Sequence, residues 1–305
     1  MSASSIAGLA GRSRVGVVAS TDCWAEWIRR RRSGGDPEYE AKTLENLAVI
    51  RDRVVDGAAL EPGETLLDVG CGNGLVGFGA LERGARVVFA DVSAALLEDC
   101  RELAAKAGVV GRCRFVEAQA EDLHGVADES VDVVTTRSVL IYVADKERAF
   151  REFHRVLRSG GRASIFEPIN RFGLEERRGT WGYAVDGEAA RLIGKLIDSL
   201  RSFQPEDDPM FDFDERDLFA LAEHVRFFPV TLEYRAEAIP LEPRSWESFL
   251  HSAPNPKIPT FAEAMDAALT AEERELLVTE LRPAVEEGRG VWRMGSAFLR
   301  AVKPA

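Results

Sequence analysis

The chain has 305 residues and a formal net charge of −12, with 46% hydrophobic and 30% charged residues. That balance fits a globular protein of one large domain or a core with a cap, and it disfavours nucleic acid or an anionic membrane as partner, since both reward clustered Lys and Arg. The four cysteines, Cys23, Cys71, Cys100 and Cys113, show no CxxC pair and no His/Cys ligand spacing, so the expectation is a reduced, cytoplasmic protein without a metal centre.

Residues 1–20 read as a frayed tail without the apolar core of a signal peptide. No later run approaches ~20 apolar residues, so neither export nor a membrane span is expected. Thr21 or Asp22 can cap a first helix carrying Trp24, Trp27 and Ile28 at helical spacing. Arg29-Arg30-Arg31-Arg32 behind it reads as a solvated helix end. A second helix is predicted from Glu38 to Val55, with Leu44, Leu47, Ile50 and Val54 on one face. Strands and helices then alternate. Strands are predicted at 65–68, 86–90, 113–118, 130–136 and 162–167, and helices at 75–83, 93–107 and 145–158. That rhythm predicts an α/β fold, a doubly wound, mostly parallel seven-stranded sheet covered on both faces.

Beyond Pro168 the regularity loosens. Helices are expected at 188–200 and 214–225, a strand at 228–239, helical segments over 241–289 around Pro254-Asn255-Pro256, and a last strand at 291–302. The expected organisation is an N-terminal helical cap (1–58), a ligand-binding core (59–170), a cap insertion (171–213), a core helix and strand (214–240), a helical lid (241–289) and the closing strand (290–305).

In such sheets the ligand sits at the carboxyl ends of the strands, where the winding reverses. There the first strand runs through Leu66-Leu67-Asp68-Val69 into Gly70-Cys71-Gly72-Asn73-Gly74. Glycines let the backbone approach a ligand, and a turn opening a helix points N–H groups at it. A phosphate-binding P-loop needs Gly-Lys-Ser/Thr, and no Lys lies near Gly74. A dinucleotide site wants G-x-G-x-x-G, but Leu75 stands where the third glycine belongs. Asp91, about 20 positions on, suits a ribose contact. Asp68, on the strand before the glycines, would repel a pyrophosphate and suits a cationic adenosyl ligand.

From about residue 60 to 168 the chain resembles the class I S-adenosylmethionine-dependent methyltransferases. Leu66 to Gly74 looks like the family's first motif, and Val88-Phe89-Ala90-Asp91-Val92-Ser93 like its second. Ala118-Gln119-Ala120-Glu121-Asp122-Leu123 resembles its adenine turn, with Gln119 where an Asp often stands. Ser130 to Val134 and Arg155-Val156-Leu157-Arg158-Ser159-Gly160-Gly161 match later motifs. The resemblance implies S-adenosyl-L-methionine as cofactor. It implies that Asp68, Gly70, Cys71, Gly72 and Asn73 lie around its amino-acid end, Asp91 and Val92 at the ribose, and Gln119, Ala120 and Glu121 at the adenine.

After the fourth strand, Arg137-Ser138-Val139-Leu140-Ile141-Tyr142 should lie beside the methyl group. Arg137 is a contact to cofactor or substrate, or a strand-end ion pair. Candidate catalytic residues are Tyr142, standing where many relatives carry a His, His251 in the lid, and Glu167 at the fifth strand's end. His154 reads as structural, and His124 and His224 as surface or packing residues. Aromatic residues in the insertions, Trp181, Tyr183, Trp246 and Phe249 among them, favour a small, partly apolar or aromatic acceptor in an enclosed pocket, of the kind met in secondary metabolism. The acceptor atom (O, N or C) stays open. The alternatives are an S-adenosylmethionine-binding enzyme of non-methyl chemistry, such as cyclisation, or a non-catalytic sensor.

Overall fold

The computed structural model describes residues 22–174, 180–200, 203–204 and 207–305. The expected tail and Thr21 lie outside them. Asp22 caps the first helix, α1 (Cys23–Glu26), by accepting from the Ala25 N–H at 3.0 Å. The helix runs on as a π-helical turn, Trp27–Arg31. Helix α2 (Pro37–Gly57) begins on Asp36, whose carboxylate accepts from the Glu38 and Tyr39 N–H groups, with Pro37 in the first turn.

The sheet is built from β1 (Thr65–Val69), β2 (Arg86–Asp91), β3 (Cys113–Glu117), β4 (Val131–Arg137), β5 (Leu157–Pro168), β6 (Val230–Pro240) and β7 (Val291–Val302). Its seven strands lie in the order β3-β2-β1-β4-β5-β7-β6, with only β7 antiparallel to its neighbours. The predicted mostly parallel sheet is therefore present. Strand β1, between β2 and β4, is covered on both faces, which is why Leu66, Leu67 and Val69 are all buried rather than alternating with exposed residues. Helices α3 (Leu75–Glu82) and α4 (Ala94–Lys106) follow β1 and β2, and α5 (Lys146–Val156) leads into β5. That strand begins at Leu157, five residues earlier than expected, so the Ser159-Gly160-Gly161 segment is inside it.

One face of the sheet packs through Phe150, Phe153, Leu140 and Ile165, the other through Phe89, Leu66, Val87 and Leu97. A separate apolar cluster forms the cap. It joins Leu192, Ile193 and Leu196 of α6 (Gly187–Leu200) to Trp246 and Phe249 of α8 (Trp246–His251), Met265 of α9 (Phe261–Ala268) and Leu277 and Leu281 of α10 (Ala271–Glu286). The two insertions expected from the sequence thus share one core. Helix α7 (Glu215–His224) packs instead on the sheet through Leu218 and Ala222.

The N-terminal helices clasp this cap. The Trp27 indole N–H donates to the Ala253 carbonyl at 2.8 Å, the Ala253 N–H to the Arg31 carbonyl at 2.7 Å, and the Ser248 hydroxyl to the Ser33 carbonyl at 2.8 Å. Three of the four consecutive arginines are engaged, correcting their reading as a solvated end. Arg29 pairs with Asp99 on α4, Arg31 with Glu263 on α9 and Arg32 with Glu40 on α2. Among the described residues no helix is long and apolar enough to cross a membrane, and no cluster of His, Cys, Asp and Glu is placed to hold a metal ion.

Candidate active site

The cavity lies at the carboxyl ends of the parallel strands, beneath the cap, and has a volume of about 1290 Å³. Small-molecule sites run to roughly 300–1,000 Å³, so this one has room for two ligands side by side.

Its first half is built on β1, β2 and β3. Gly70, Gly72 and Gly74 all take positive φ (65°, 55° and 82°), a conformation that costs glycine nothing and other residues 1–2 kcal/mol or so. A Cβ on Gly70 would stand 2.4 Å from a Val139 methyl, so the turn and the loop after β4 pack without room for a side chain. Asp91 fixes the turn from the neighbouring strand. One carboxylate oxygen accepts from the Gly72 N–H at 2.8 Å and the other from the Ser93 N–H at 2.9 Å. Each oxygen keeps a further lone pair, and Asp91 lines the cavity. Burial raises its pKa, against the pull of those two N–H groups.

The segment at Gln119-Ala120-Glu121 forms the next stretch of wall. Behind it Glu152 accepts from the Leu123 N–H at 2.7 Å, and Arg155 ties Glu152 to Asp128 and the Val126 carbonyl. Arg155 is therefore the residue through which the end of α5 holds the loop that follows Gln119-Ala120-Glu121.

Asp68 has a different place from the one its strand-end position suggests. It is 2% exposed and lies under the turn, outside the cavity lining. Its carboxylate accepts from the Gly77 N–H of α3 at 2.9 Å and from the Thr135 hydroxyl of β4 at 3.2 Å. Burial pushes its pKa up to about 7. It acts on the turn rather than directly on a ligand. Cys71 and Asn73 also lie outside the lining. Cys71 is buried, donates its N–H to the Ala90 carbonyl at 3.0 Å, and has its thiol pushed up by a hydrogen bond with Cys100 and by burial. Gly70, Gly72, Asp91, Val92, Gln119, Ala120, Glu121 and Arg137 do line the cavity.

The second half rises from β4, β5 and β7 under the N-terminal helices and the cap. Ser138 takes φ +57° directly after β4 and turns the chain over. The N–H groups of Val139, Leu140 and Ile141 then converge on Glu167 at 2.9, 3.0 and 3.3 Å, with the Thr136 hydroxyl at 3.4 Å. Glu167 is wholly buried beneath the cavity, and burial pushes its carboxyl up to about 7 against those bonds. It holds the loop that carries Tyr142, which does line the cavity and meets Trp24 edge-on at 4.7 Å. Burial, and then the Glu167 charge, raise the Tyr142 pKa well above the ordinary phenol value.

His251 is not brought to the site. It is the last residue of α8, its side chain is 60% exposed, and its neighbour is Glu247 at 3.5 Å. Two positions along a helix are about 200° round its axis, so Phe249 faces the cavity while His251 faces away. His251→Ala is expected to leave turnover within twofold of wild type in a steady-state assay. A tenfold loss would return it to the site. His154 lies edge-on to Phe227, while His124 and His224 are mostly exposed.

The residues that sequence reasoning left out come from the N-terminal helices and the strand ends. Trp24, Trp27 and Ile28 line the cavity on one helical stripe, joined by Arg32, Tyr39 and Asn170. The spacing of the two tryptophans was a visible signal, since an apolar stripe marks a covered face without saying what covers it. Nothing local marked Arg32 or Asn170.

Residues 67–165 match the family model described as a methyltransferase domain. With the fold and the site above, residues 67–165 are thus similar to a methyltransferase domain. The glycine turn, Asp91 and the Gln119 loop would fit S-adenosylmethionine: a bare-backbone cradle for the amino-acid end, a carboxylate for the ribose, and a walled slot beyond.

The chain is 37% identical over 158 residues to the ubiquinone/menaquinone biosynthesis C-methyltransferase UbiE of Klebsiella pneumoniae, covering 48% of this chain and 60% of that protein. It is 35% identical over 136 residues to the ubiquinone biosynthesis O-methyltransferase of Pseudomonas syringae pv. tomato, covering 45% and 57%. The match thus spans about three-fifths of the length of these curated relatives. Among solved structures, a putative methyltransferase from Bacillus halodurans matches with TM-score 0.52 at 18% identity, over 84% of this chain and 99% of that one. The YcgJ protein of Bacillus subtilis matches with TM-score 0.52 at 16% identity, over 84% and 98%. These two likenesses concern the fold.

Proposed function

We propose that the protein transfers a methyl group from S-adenosylmethionine to a small, partly apolar or aromatic acceptor held under the cap. The observation that carries this reading is a cavity of about 1290 Å³, which runs from the glycine turn to a wall of Trp24, Trp27, Tyr142, Trp181 and Phe249 and has room for an acceptor beside a cofactor. When bound, the cofactor supplies an electrophilic sulfonium methyl, so the chain's own task is to hold a nucleophile in line and keep water out. Trp24 and Trp27, with Phe249 and Phe261 from the cap, close the cavity with apolar surface. Tyr142, kept protonated, serves as a hydrogen-bond donor that orients the acceptor rather than as a base. The relatives named above include both C- and O-methyltransferases, which keeps carbon and oxygen alike as acceptor atoms.

The test is incubation with S-adenosylmethionine labelled in its methyl group and a metabolite extract. Label moving into a metabolite supports the reading. A converted metabolite without label points to non-methyl chemistry, and cofactor binding with neither points to a sensor.

A further inference from the structure

We propose that the acceptor carries an acidic group, a carboxylate or an equivalent anion, which is recognised by Arg137 with Arg32 beside it. This rests on the methyl-transfer reading and names the substrate class within it.

Arg137 is the last residue of β4, and its half-buried side chain lines the cavity. Among the described residues its guanidinium makes no hydrogen bond and no ion pair, so the strand-end salt bridge its position suggested is not formed. A guanidinium offers five N–H donors in a planar fork suited to a carboxylate. Taking it out of water without an anion is costly, and burial, followed by the nearby charge of Arg32, lowers its pKa.

Arg32, which also lines the cavity, is paired through one terminal nitrogen with Glu40, while its Nε is buried without a partner among the described residues. The acids nearest Arg137 do not neutralise it. Asp68 and Glu167 are buried beneath the cavity, occupied by backbone and hydroxyl donors, and both are held towards their neutral forms. Of the carboxylates that line the cavity, Asp91 secures the glycine turn and Glu242 pairs with Lys42 at the surface, leaving Glu121 on the adenine-side loop. A strongly acidic protein thus places the Arg137 guanidinium, without an ion-pair partner among the described residues, in this cavity, which is the arrangement expected of an anion site.

The anion belongs to the acceptor rather than to the cofactor by position. The strand order reverses between β1 and β4, and the turn, Asp91 and Gln119 all stand on the β1-β2-β3 side. Arg137 opens the other side, towards Tyr142, Asn170, Trp292 and Met294.

The experiment uses the full chain. A metabolite extract is separated on an anion exchanger at pH 8, and each fraction is then incubated with methyl-labelled cofactor. Labelling confined to the retained, anionic fractions is expected. Labelling in the unretained fraction overturns the proposal and leaves methyl transfer standing, while no labelling anywhere overturns both.

Arg137→Gln should lower labelling of the retained fraction at least tenfold, and Arg137→Lys should restore part of it. S-adenosylhomocysteine affinity by calorimetry should change less than twofold, and the melting temperature should hold or rise because a half-buried cation without an ion pair among the described residues is gone. A tenfold loss of S-adenosylhomocysteine affinity would assign Arg137 to the cofactor's carboxylate instead. A fall of more than about 5 °C in melting temperature would make its role structural.

Discussion

Asp91→Ala should weaken S-adenosylhomocysteine binding by about 1–3 kcal/mol, or roughly 5- to 150-fold, through lost hydrogen bonds at a buried site. Two losses combine in that figure. The carboxylate lines the cavity where a ribose would lie, and its two oxygens also hold the Gly72 and Ser93 N–H groups. Removing it leaves both N–H groups unpaired and frees the turn as well as a ligand contact. Asp91→Asn separates the two losses, because the carboxamide oxygen can keep one of the backbone bonds. An intermediate affinity for the Asn variant is expected by titration calorimetry. Unchanged affinity in both variants would remove Asp91 from the site.

Glu167→Gln should cost turnover at least tenfold, although the side chain never reaches the cavity. Its carboxylate gathers the N–H groups of Val139, Leu140 and Ile141, and that loop carries Tyr142 to the acceptor side. A Gln offers one acceptor oxygen, which can serve Val139 and Leu140, and its NH₂ then confronts the Ile141 N–H. Leaving that group unsatisfied costs about 1–3 kcal/mol.

The pH dependence follows from the sign of the shift. The folded-state pKa, about 7, lies above the ordinary 4.5, so the native protein holds this proton more tightly than the unfolded chain. The contribution to stability is greatest below about pH 4.5, declines as pH rises to about 7, and is flat above that. Asp68 adds a decline of the same sign from its ordinary 3.8 up to about 7. Gln cannot ionise, so the stability gap between wild type and Glu167→Gln should be widest near pH 5 and narrow by pH 7.5. Denaturant unfolding across that range measures it. A gap that stays flat from pH 5 to pH 7.5 would mean that the carboxylate is ionised throughout.

The two predictions concern groups of different legibility. Asp91 ends a short apolar run at a fixed distance from a glycine turn, and both the turn and the strand rhythm are local demands. Positive φ at Gly70, Gly72 and Gly74 can be met cheaply only by glycine, so the cradle is written into the residues themselves. Asp68 was equally visible, yet its carboxylate turns under the chain to Gly77 and Thr135. Alternation along a strand tells which residues share a face, and the tertiary packing of α3 against β1 determines what that face meets. Tyr142 and Glu167 were both apparent as strand-end groups. Their division into a wall residue and a positioning residue depends on the left-handed turn at Ser138, which no motif announces.

His251 shows the same limit on a helix. Its place among lid residues was legible, but its direction was not, because two positions from Phe249 it stands on the far side of α8. The sequence alone determined the sheet, its winding and the glycine turn, since hydrophobic period and glycine conformation act over a few residues. Only the tertiary structure decided what encloses the second half of the cavity. Trp27 and Arg31 meet Ala253 more than 220 residues away, and among the described residues Arg137 is left without an ion pair by the folding of everything around it. Contacts at that separation leave no periodic trace in the chain, and an unpaired charge is visible only once all possible partners have been placed.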